Sequence, residues 1–157
     1  MTRKCLLAIR IRSAINANKE MKDTFKFLRI DRTNYATLLD DRPAYQGMLK
    51  VVKDRVTWGE PSYETVSRLL KERGKAIGGS RIDEEVLKKL GYESLEELSK
   101  AICNCEVEFS KLEGIKPFFR LHPPRKGFEG KTKRSYSAGG EAGYRGAKIN
   151  ELVSKMV

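Results

Sequence analysis

The chain has 157 residues, of which 39% are hydrophobic, and this is enough for one compact domain, with or without a small appendage, but not for two full cores. Its 32 Lys and Arg residues outnumber 21 Asp and Glu residues, and the formal net charge of +11 favours a polyanionic partner such as a nucleic acid. No apolar run approaches the length of a transmembrane helix, so we expect a cytoplasmic protein without a membrane partner.

The charge is distributed unevenly along the chain. Residues 1–82 carry 18 basic and 9 acidic side chains, and residues 116–148 carry 9 and 2. Residues 83–113 between them carry 4 basic and 9 acidic side chains. This pattern predicts that the acidic segment faces away from a polyanion that both basic regions contact, although chance clustering on exposed helices would give the same pattern.

The first sixty residues alternate strand and helix patterns. Apolar residues at every second position from Cys5 to Ile11 predict a strand with one apolar face and one face that becomes basic. Asn16 or Asn18 can cap a following helix, and Pro43 suits the first turn of a second helix. Further β-rich runs are at residues 35–39 and 56–58. The pattern predicts a small α+β unit whose two helices cover one face of a three-stranded sheet.

The remaining chain is predicted to be mainly helical, apart from one strand and one long loop. Ser62, Asp83 and the Ser94–Glu97 capping-box pair each begin an apolar helical pattern. Pro117 favours an edge strand that returns to the first sheet, and an amphipathic helix follows the loop. We divide the chain into three units: residues 1–60, the core unit; residues 61–114, a helical and partly acidic insertion; and residues 115–157, an edge strand, a basic loop and a C-terminal helix.

The loop from Leu121 to Gly146 has neither helical nor strand periodicity. It contains six of the 13 glycines of the chain, interleaved with Lys, Arg, Phe and Tyr. Glycine lets the backbone approach another surface, cations contact phosphates, and aromatic rings stack on unpaired bases. We therefore predict an RNA-binding loop that is mobile in the free protein and takes a fixed path against RNA. A mobile basic loop without a defined partner is the alternative.

Two stretches carry a resemblance to a known family. The segments "LHPPRKGFEGKTKRSYSAGGEAGYRG" and "DDRPAYQGMLKVVKDRVTWGEPS" resemble the archaeal long form of the large-subunit ribosomal protein L-thirty family, whose eukaryotic counterpart is large-subunit protein seven. In that family a proline, here Pro43, opens the second helix, and a Gly-Met pair, here Gly47 and Met48, lies within it. Gln46 stands where many members place arginine.

The resemblance implies an α+β, ferredoxin-like core with a small antiparallel sheet and two helices on one face. It also implies a structural, non-catalytic role in the large ribosomal subunit, where the partners are ribosomal RNA and neighbouring ribosomal proteins. It leaves open whether the 5S RNA is among those partners.

The candidate RNA-binding residues form two groups. Those of the first unit lie on the basic face of strand one and at exposed helix starts, where backbone donors can also meet phosphate: Arg10, Arg12, Lys19, Lys22, Arg29, Arg42 and Gln46. Those of the loop are its cations, its histidine and its aromatic residues: His122, Arg125, Lys126, Phe128, Lys131, Lys133, Arg134, Tyr136, Tyr144 and Arg145.

Other chemistry is less well supported by the sequence. A zinc site would require Cys5, Cys103, Cys105 and His122 to converge, so we expect no metal or cofactor, and three cysteines without framework spacing do not indicate structural disulfides. The alternative function is an RNA-processing or RNA-modifying enzyme that captures its substrate with the basic loop. Asp40, Asp41 or His122 would then do the chemistry, but the aspartates are also typical of helix capping.

Overall fold

The computed structural model describes residues 4–157, which form an α+β fold. The five strands are β1 Cys5–Arg10, β2 Tyr35–Asp40, β3 Val56–Gly59, β4 Phe119–Arg120 and β5 Gly143–Tyr144. The six α-helices are α1 Lys19–Phe27, α2 Pro43–Val51, α3 Tyr63–Glu72, α4 Glu84–Leu90, α5 Leu95–Cys103 and α6 Ile149–Met156. The predicted alternation of strands and helices in the first sixty residues is confirmed.

The helices begin where the capping residues predict. The Asn18 side chain accepts a hydrogen bond from the Met21 backbone N–H at 2.8 Å, so Asn18, and not Asn16, caps α1. The side chains of Ser62, Asp83 and Ser94 accept equivalent bonds at the starts of α3, α4 and α5. These bonds satisfy backbone donors that the first turn of a helix leaves without a partner.

The five strands form one sheet in the order β4-β2-β1-β3-β5. The central strand β1 pairs antiparallel with β2 and β3, and β4 pairs antiparallel with β2 at one edge, as Pro117 predicted. At the other edge β5 runs parallel to β3, a pairing that the sequence did not predict. The ferredoxin-like core with α1 and α2 on one face is confirmed.

Both faces of β1 are covered. Leu6 and Ala8 pack into a cluster with Phe25 of α1 and Leu49 of α2. On the opposite face, apolar residues of β1 pack into a larger cluster with buried residues of α3, α5 and α6, including Leu69, Leu98 and Ile149. Burial on two faces makes β1 the centre of a three-layer arrangement. Within residues 4–157, no helix is long and apolar enough to cross a membrane.

The basic face that the sequence predicts for β1 is not exposed at Arg10. Arg10 is only 3% exposed, and its guanidinium lies 4.3 Å from the centre of the Phe25 ring. It donates hydrogen bonds to the carbonyl oxygens of Arg12 at 2.9 Å and Ile30 at 3.2 Å, and burial lowers its pKa. The face of β1 that carries Arg10 is the face on which α1 packs. Arg10 therefore supports the α1 packing and is not available to a phosphate.

Candidate nucleic-acid interface

The first part of the basic loop, residues 125–134, is here called the outer loop. It carries five exposed cations, Arg125, Lys126, Lys131, Lys133 and Arg134. Among the residues that the structure describes, none of these side chains forms an ion pair. The outer loop is attached to the end of α6, because the Arg125 N–H donates to the Lys155 carbonyl oxygen at 3.0 Å. These cations are therefore available to an external anion.

The second part of the loop, residues 135–146, is here called the inner loop, and it packs on the sheet. The Arg145 side chain is buried, and its Nη2 lies 2.6 Å from Oε2 of the equally buried Glu141. Arg145 also donates through Nε to the Thr57 hydroxyl of β3 at 2.7 Å. These bonds hold β5 against β3, so Arg145 is a structural residue and we leave it out of the proposed interface.

The inner loop nevertheless has local structure, which the lack of helical and strand periodicity did not predict. A short 3₁₀ turn forms at Tyr136–Ala138, and the Tyr136 N–H donates to the Ala142 carbonyl oxygen at 2.7 Å. A Cβ atom on Gly140 would lie 2.2 Å from the Arg134 carbonyl oxygen, which shows that this glycine permits close packing of the loop on itself. Mobility of residues 121–146 in the free protein stays a prediction.

The three aromatic residues of the loop differ in how much ring surface they leave open. Phe128 is half-buried against the larger core cluster, and the Tyr136 ring is covered by the Arg145 guanidinium at 4.9 Å. Tyr144 is 53% exposed, and its hydroxyl donates to Glu60 at 2.6 Å. That hydrogen bond raises the pKa of Tyr144. Tyr144 therefore offers the most open ring for stacking.

A second exposed basic surface lies along α1. Lys19 and Lys22 are exposed on its first turns. Farther along, an open groove of about 630 Å³ between α1 and α2 is lined by Lys26, Phe27 and Arg29, among other residues. Phe27 is 66% exposed, so its ring is accessible in the groove that Lys26 and Arg29 also line. We call the surface formed by these five residues the α1 surface.

Sequence reasoning missed Lys26 and Phe27. The apolar stripe of α1 contains Phe25 and continues to Leu28, and Phe27 lies outside it. An aromatic residue off the apolar stripe and beside a lysine is the signal that could have identified this site.

Arg42 is held in a carboxylate network and is only partly exposed. Its guanidinium donates to both carboxylate oxygens of Asp40, from Nε to Oδ1 at 2.8 Å and from Nη2 to Oδ2 at 2.6 Å, and it also pairs with Glu108. The hydrogen bonds that Arg42 donates to Asp40 and Glu108 raise the pKa of Arg42, and the bond from Arg42 lowers the pKa of Glu108. Its charge is largely compensated within the protein, although it borders the same groove as Arg29.

The two remaining candidates of the first unit, Arg12 and Gln46, lie on separate parts of the surface. Arg12 is half-buried, and its Nη1 lies 3.4 Å from the Asp54 carbonyl oxygen. Gln46 is exposed on α2 and donates to the Asp41 carbonyl oxygen at 2.7 Å. It lines a groove of about 330 Å³ that also contains Tyr144. The structure therefore places a residue of the first unit beside the end of the inner loop.

The residues considered for catalysis do not form a shared acid–base arrangement. Asp40 is engaged by Arg42, and the Asp41 carboxylate accepts a hydrogen bond from the Lys4 N–H at 3.1 Å. The His122 ring nitrogens lie 2.7 Å and 2.8 Å from the backbone oxygens of Pro123 and Val157. These contacts position loops and helix ends, and His122 has no bond to either aspartate.

The three thiols lie near one another, and the pKa values of Cys5 and Cys103 are raised. Burial raises the pKa of Cys5, and burial together with the nearby Cys105 raises the pKa of Cys103 to about 11. A raised pKa disfavours the thiolate, which is the metal-binding form. Within the part of the chain that the structure describes, no group of three or more His, Cys, Asp or Glu side chains could hold a metal ion.

Comparisons with known proteins identify the family. A model described as ribosomal protein L30p/L7e matches residues 6–56, which extend from β1 to the start of β3. Large ribosomal subunit protein uL30 of Methanopyrus kandleri is 45% identical over 149 residues, which cover 94% of this chain and 100% of the relative. The chain belongs to the uL30 family. The uL30 protein of Ignicoccus hospitalis is 44% identical over 159 residues and is matched over the full length of both chains.

The similarity to uL30 extends beyond the core. The uL30 protein of Thermofilum pendens is 43% identical over 152 residues, which cover 96% of this chain and 97% of the relative. Matches of this length include the helical insertion, the basic loop and α6, all of which lie outside residues 6–56. The resemblance stated from the sequence is thereby confirmed, and the named relatives are archaeal.

Proposed function

We propose that this uL30-family chain is a structural constituent of the large ribosomal subunit in the cytoplasm, where it binds and stabilises folded ribosomal RNA. The observation that carries the proposal is the similarity, 44% to 45% identity over nearly the full length, to proteins named large ribosomal subunit protein uL30. The charge and geometry described above support RNA as the ligand, because the outer loop and the α1 surface carry exposed cations that have no ion-pair partner within residues 4–157.

The proposed contacts are of two kinds. Cations of the outer loop and the α1 surface neutralise phosphates, and Phe27 and Tyr144 supply open aromatic surface for stacking on unpaired bases. The exposed acidic side chains of α4 and α5, which include Glu84, Glu85 and Glu96, face away from the RNA and towards neighbouring ribosomal proteins. Arg12, Arg42, Gln46, His122, Phe128 and Tyr136 stay secondary candidates, because each already has contacts within the protein.

Binding to deproteinised large-subunit RNA tests the proposal. The variant Lys22→Ser/Lys26→Ser removes two exposed cations from α1, and Lys88→Ser/Lys89→Ser removes two from the last turn of α4 in the acidic segment. In a plot of log affinity against log salt concentration, we expect the α1 variant to flatten the slope by about 1.4 to 1.8, since each phosphate contact contributes about 0.7 to 0.9. The α4 control should keep the wild-type slope.

Two results would contradict the proposal. Failure of the wild-type protein to bind the large-subunit RNAs, with the 5S RNA and the longest RNA assayed separately, would remove RNA as the ligand. Substoichiometric recovery with large subunits after sedimentation at moderate salt would favour an enzyme that leaves after maturation. We expect one copy per subunit.

A further inference from the structure

The segment between α3 and α4 forms a short hairpin with a basic and partly apolar tip. Lys75 and Arg81 are opposite each other in an antiparallel bridge, and the Ala76 N–H donates to the Ser80 carbonyl oxygen at 2.7 Å. Ile77, next to the tip, is 72% exposed. We call residues 75–81 the insertion hairpin.

The insertion hairpin is held firmly by the body of the protein. The Ile77 N–H donates to the Gly114 carbonyl oxygen, and the Lys116 N–H donates to the Lys75 carbonyl oxygen, both at 2.9 Å. Ala76 is buried and forms a bridge with Ile115, which belongs to the larger core cluster. The hairpin therefore projects its tip from a fixed base, and ordering it on a partner costs little conformational entropy.

The charges of the hairpin are uncompensated. Like charges directly opposite each other in an antiparallel pair are destabilising, yet within residues 4–157 neither Lys75 nor Arg81 has an ion-pair partner. Of the acidic residues closest to the hairpin in sequence, Glu72 pairs with Arg68 at 3.3 Å and Asp83 caps α4. An anion placed between the two cations would relieve their repulsion.

The tip of the insertion hairpin also lets another molecule approach its backbone closely. Gly78 and Gly79 have φ values of +105° and +88°, which favour glycine, and no atom lies within 4 Å of a Cβ position at either residue. The tip is therefore bare backbone, with Ile77 as its one large apolar side chain. A stable protein interface buries about 800 Å² on each partner around an apolar centre, and a tip of this kind does not provide such a centre.

We propose that the insertion hairpin is a further contact site for large-subunit ribosomal RNA, separate from the outer loop and the α1 surface. Lys75 and Arg81 neutralise neighbouring phosphates, and Ile77 packs against a sugar or base in the shallow minor groove or in an unpaired segment. This inference rests on the proposed function, because it requires that the chain binds ribosomal RNA.

Salt titrations of RNA binding test this site with three variants. Lys75→Ser/Arg81→Ser should flatten the slope of log affinity against log salt by about 1.4 to 1.8. Ile77→Ser should lower the affinity at every salt concentration without changing the slope, because an apolar contact releases no counterions. Lys88→Ser/Lys89→Ser is the control with the same change in charge.

The outcomes separate the two proposals. If the wild type binds RNA and the hairpin variants bind like the control, the insertion hairpin is not an RNA site and the proposed function stands. If the wild type does not bind ribosomal RNA at all, both proposals fail. If crosslinking from the hairpin in the assembled subunit captures a ribosomal protein and no RNA, its partner is a protein surface and the RNA assignment is overturned.

Discussion

The two halves of the basic loop differ in charge and in environment, because residues 125–134 carry five basic side chains and residues 135–146 carry only one, Arg145. In the outer loop, five cations are exposed and have no ion-pair partner within residues 4–157. In the inner loop, Arg145 is 8% exposed, bonded to Glu141 and Thr57, and stacked on Tyr136. The comparison shows that a basic composition indicates a polyanionic partner, whereas packing decides which cations are available to it.

Breaking the buried pair of the inner loop should have the largest effect on stability. Arg145→Ala leaves Glu141 buried without its cation, and we expect the free energy of unfolding to fall by about 3 to 5 kcal/mol. Urea unfolding measures this change. The control Glu141→Gln/Arg145→Met leaves no unpaired charge and should be less destabilised than Arg145→Ala. A loss below about 1 kcal/mol for Arg145→Ala would show that the inner loop is not held by this pair.

The Arg42–Glu108 pair should have a smaller, pH-dependent effect. The hydrogen bond from Arg42 lowers the pKa of Glu108 in the folded protein, so this carboxylate contributes stability above its unfolded pKa of about 4.3. That contribution is lost as the pH falls through the lower, folded pKa. We expect Glu108→Gln to reduce the free energy of unfolding by about 1 kcal/mol at neutral pH, and the difference from wild type should shrink in acid.

The control for this experiment is Glu106→Gln, which changes an exposed carboxylate two residues away. It should follow the wild-type stability across the same pH range. A difference between Glu108→Gln and wild type that stays constant from neutral to acidic pH would contradict the assigned role of the carboxylate.

Local sequence signals predicted the elements, and long-range packing accounts for most of what they missed. Side chains such as Ser62 and Ser94 mark helix starts through bonds within one turn, so a sequence pattern suffices to find them. Arg10 was misassigned because alternation along β1 does not show that α1 would cover its basic side.

The inner loop was missed for the same reason. β5 pairs with a strand more than eighty residues away, and Thr57 of β3 donates to the Gly143 carbonyl oxygen at 2.8 Å. The only local signal of the structure of the inner loop was the pair of opposite charges four residues apart, Glu141 and Arg145. The best-supported RNA-binding candidates are the exposed cations of the outer loop and α1, because local polarity in the sequence is enough to predict that they are exposed.

The most direct test of the account is a salt titration of RNA binding by Lys131→Ser/Lys133→Ser/Arg134→Ser. Serine keeps the backbone and Cβ atoms, so the free energy of unfolding should stay within about 0.5 kcal/mol of wild type. The slope of log affinity against log salt should flatten by about 2.1 to 2.7, because three phosphate contacts are lost. An unchanged slope in a fully folded variant would show that the outer loop does not bind RNA.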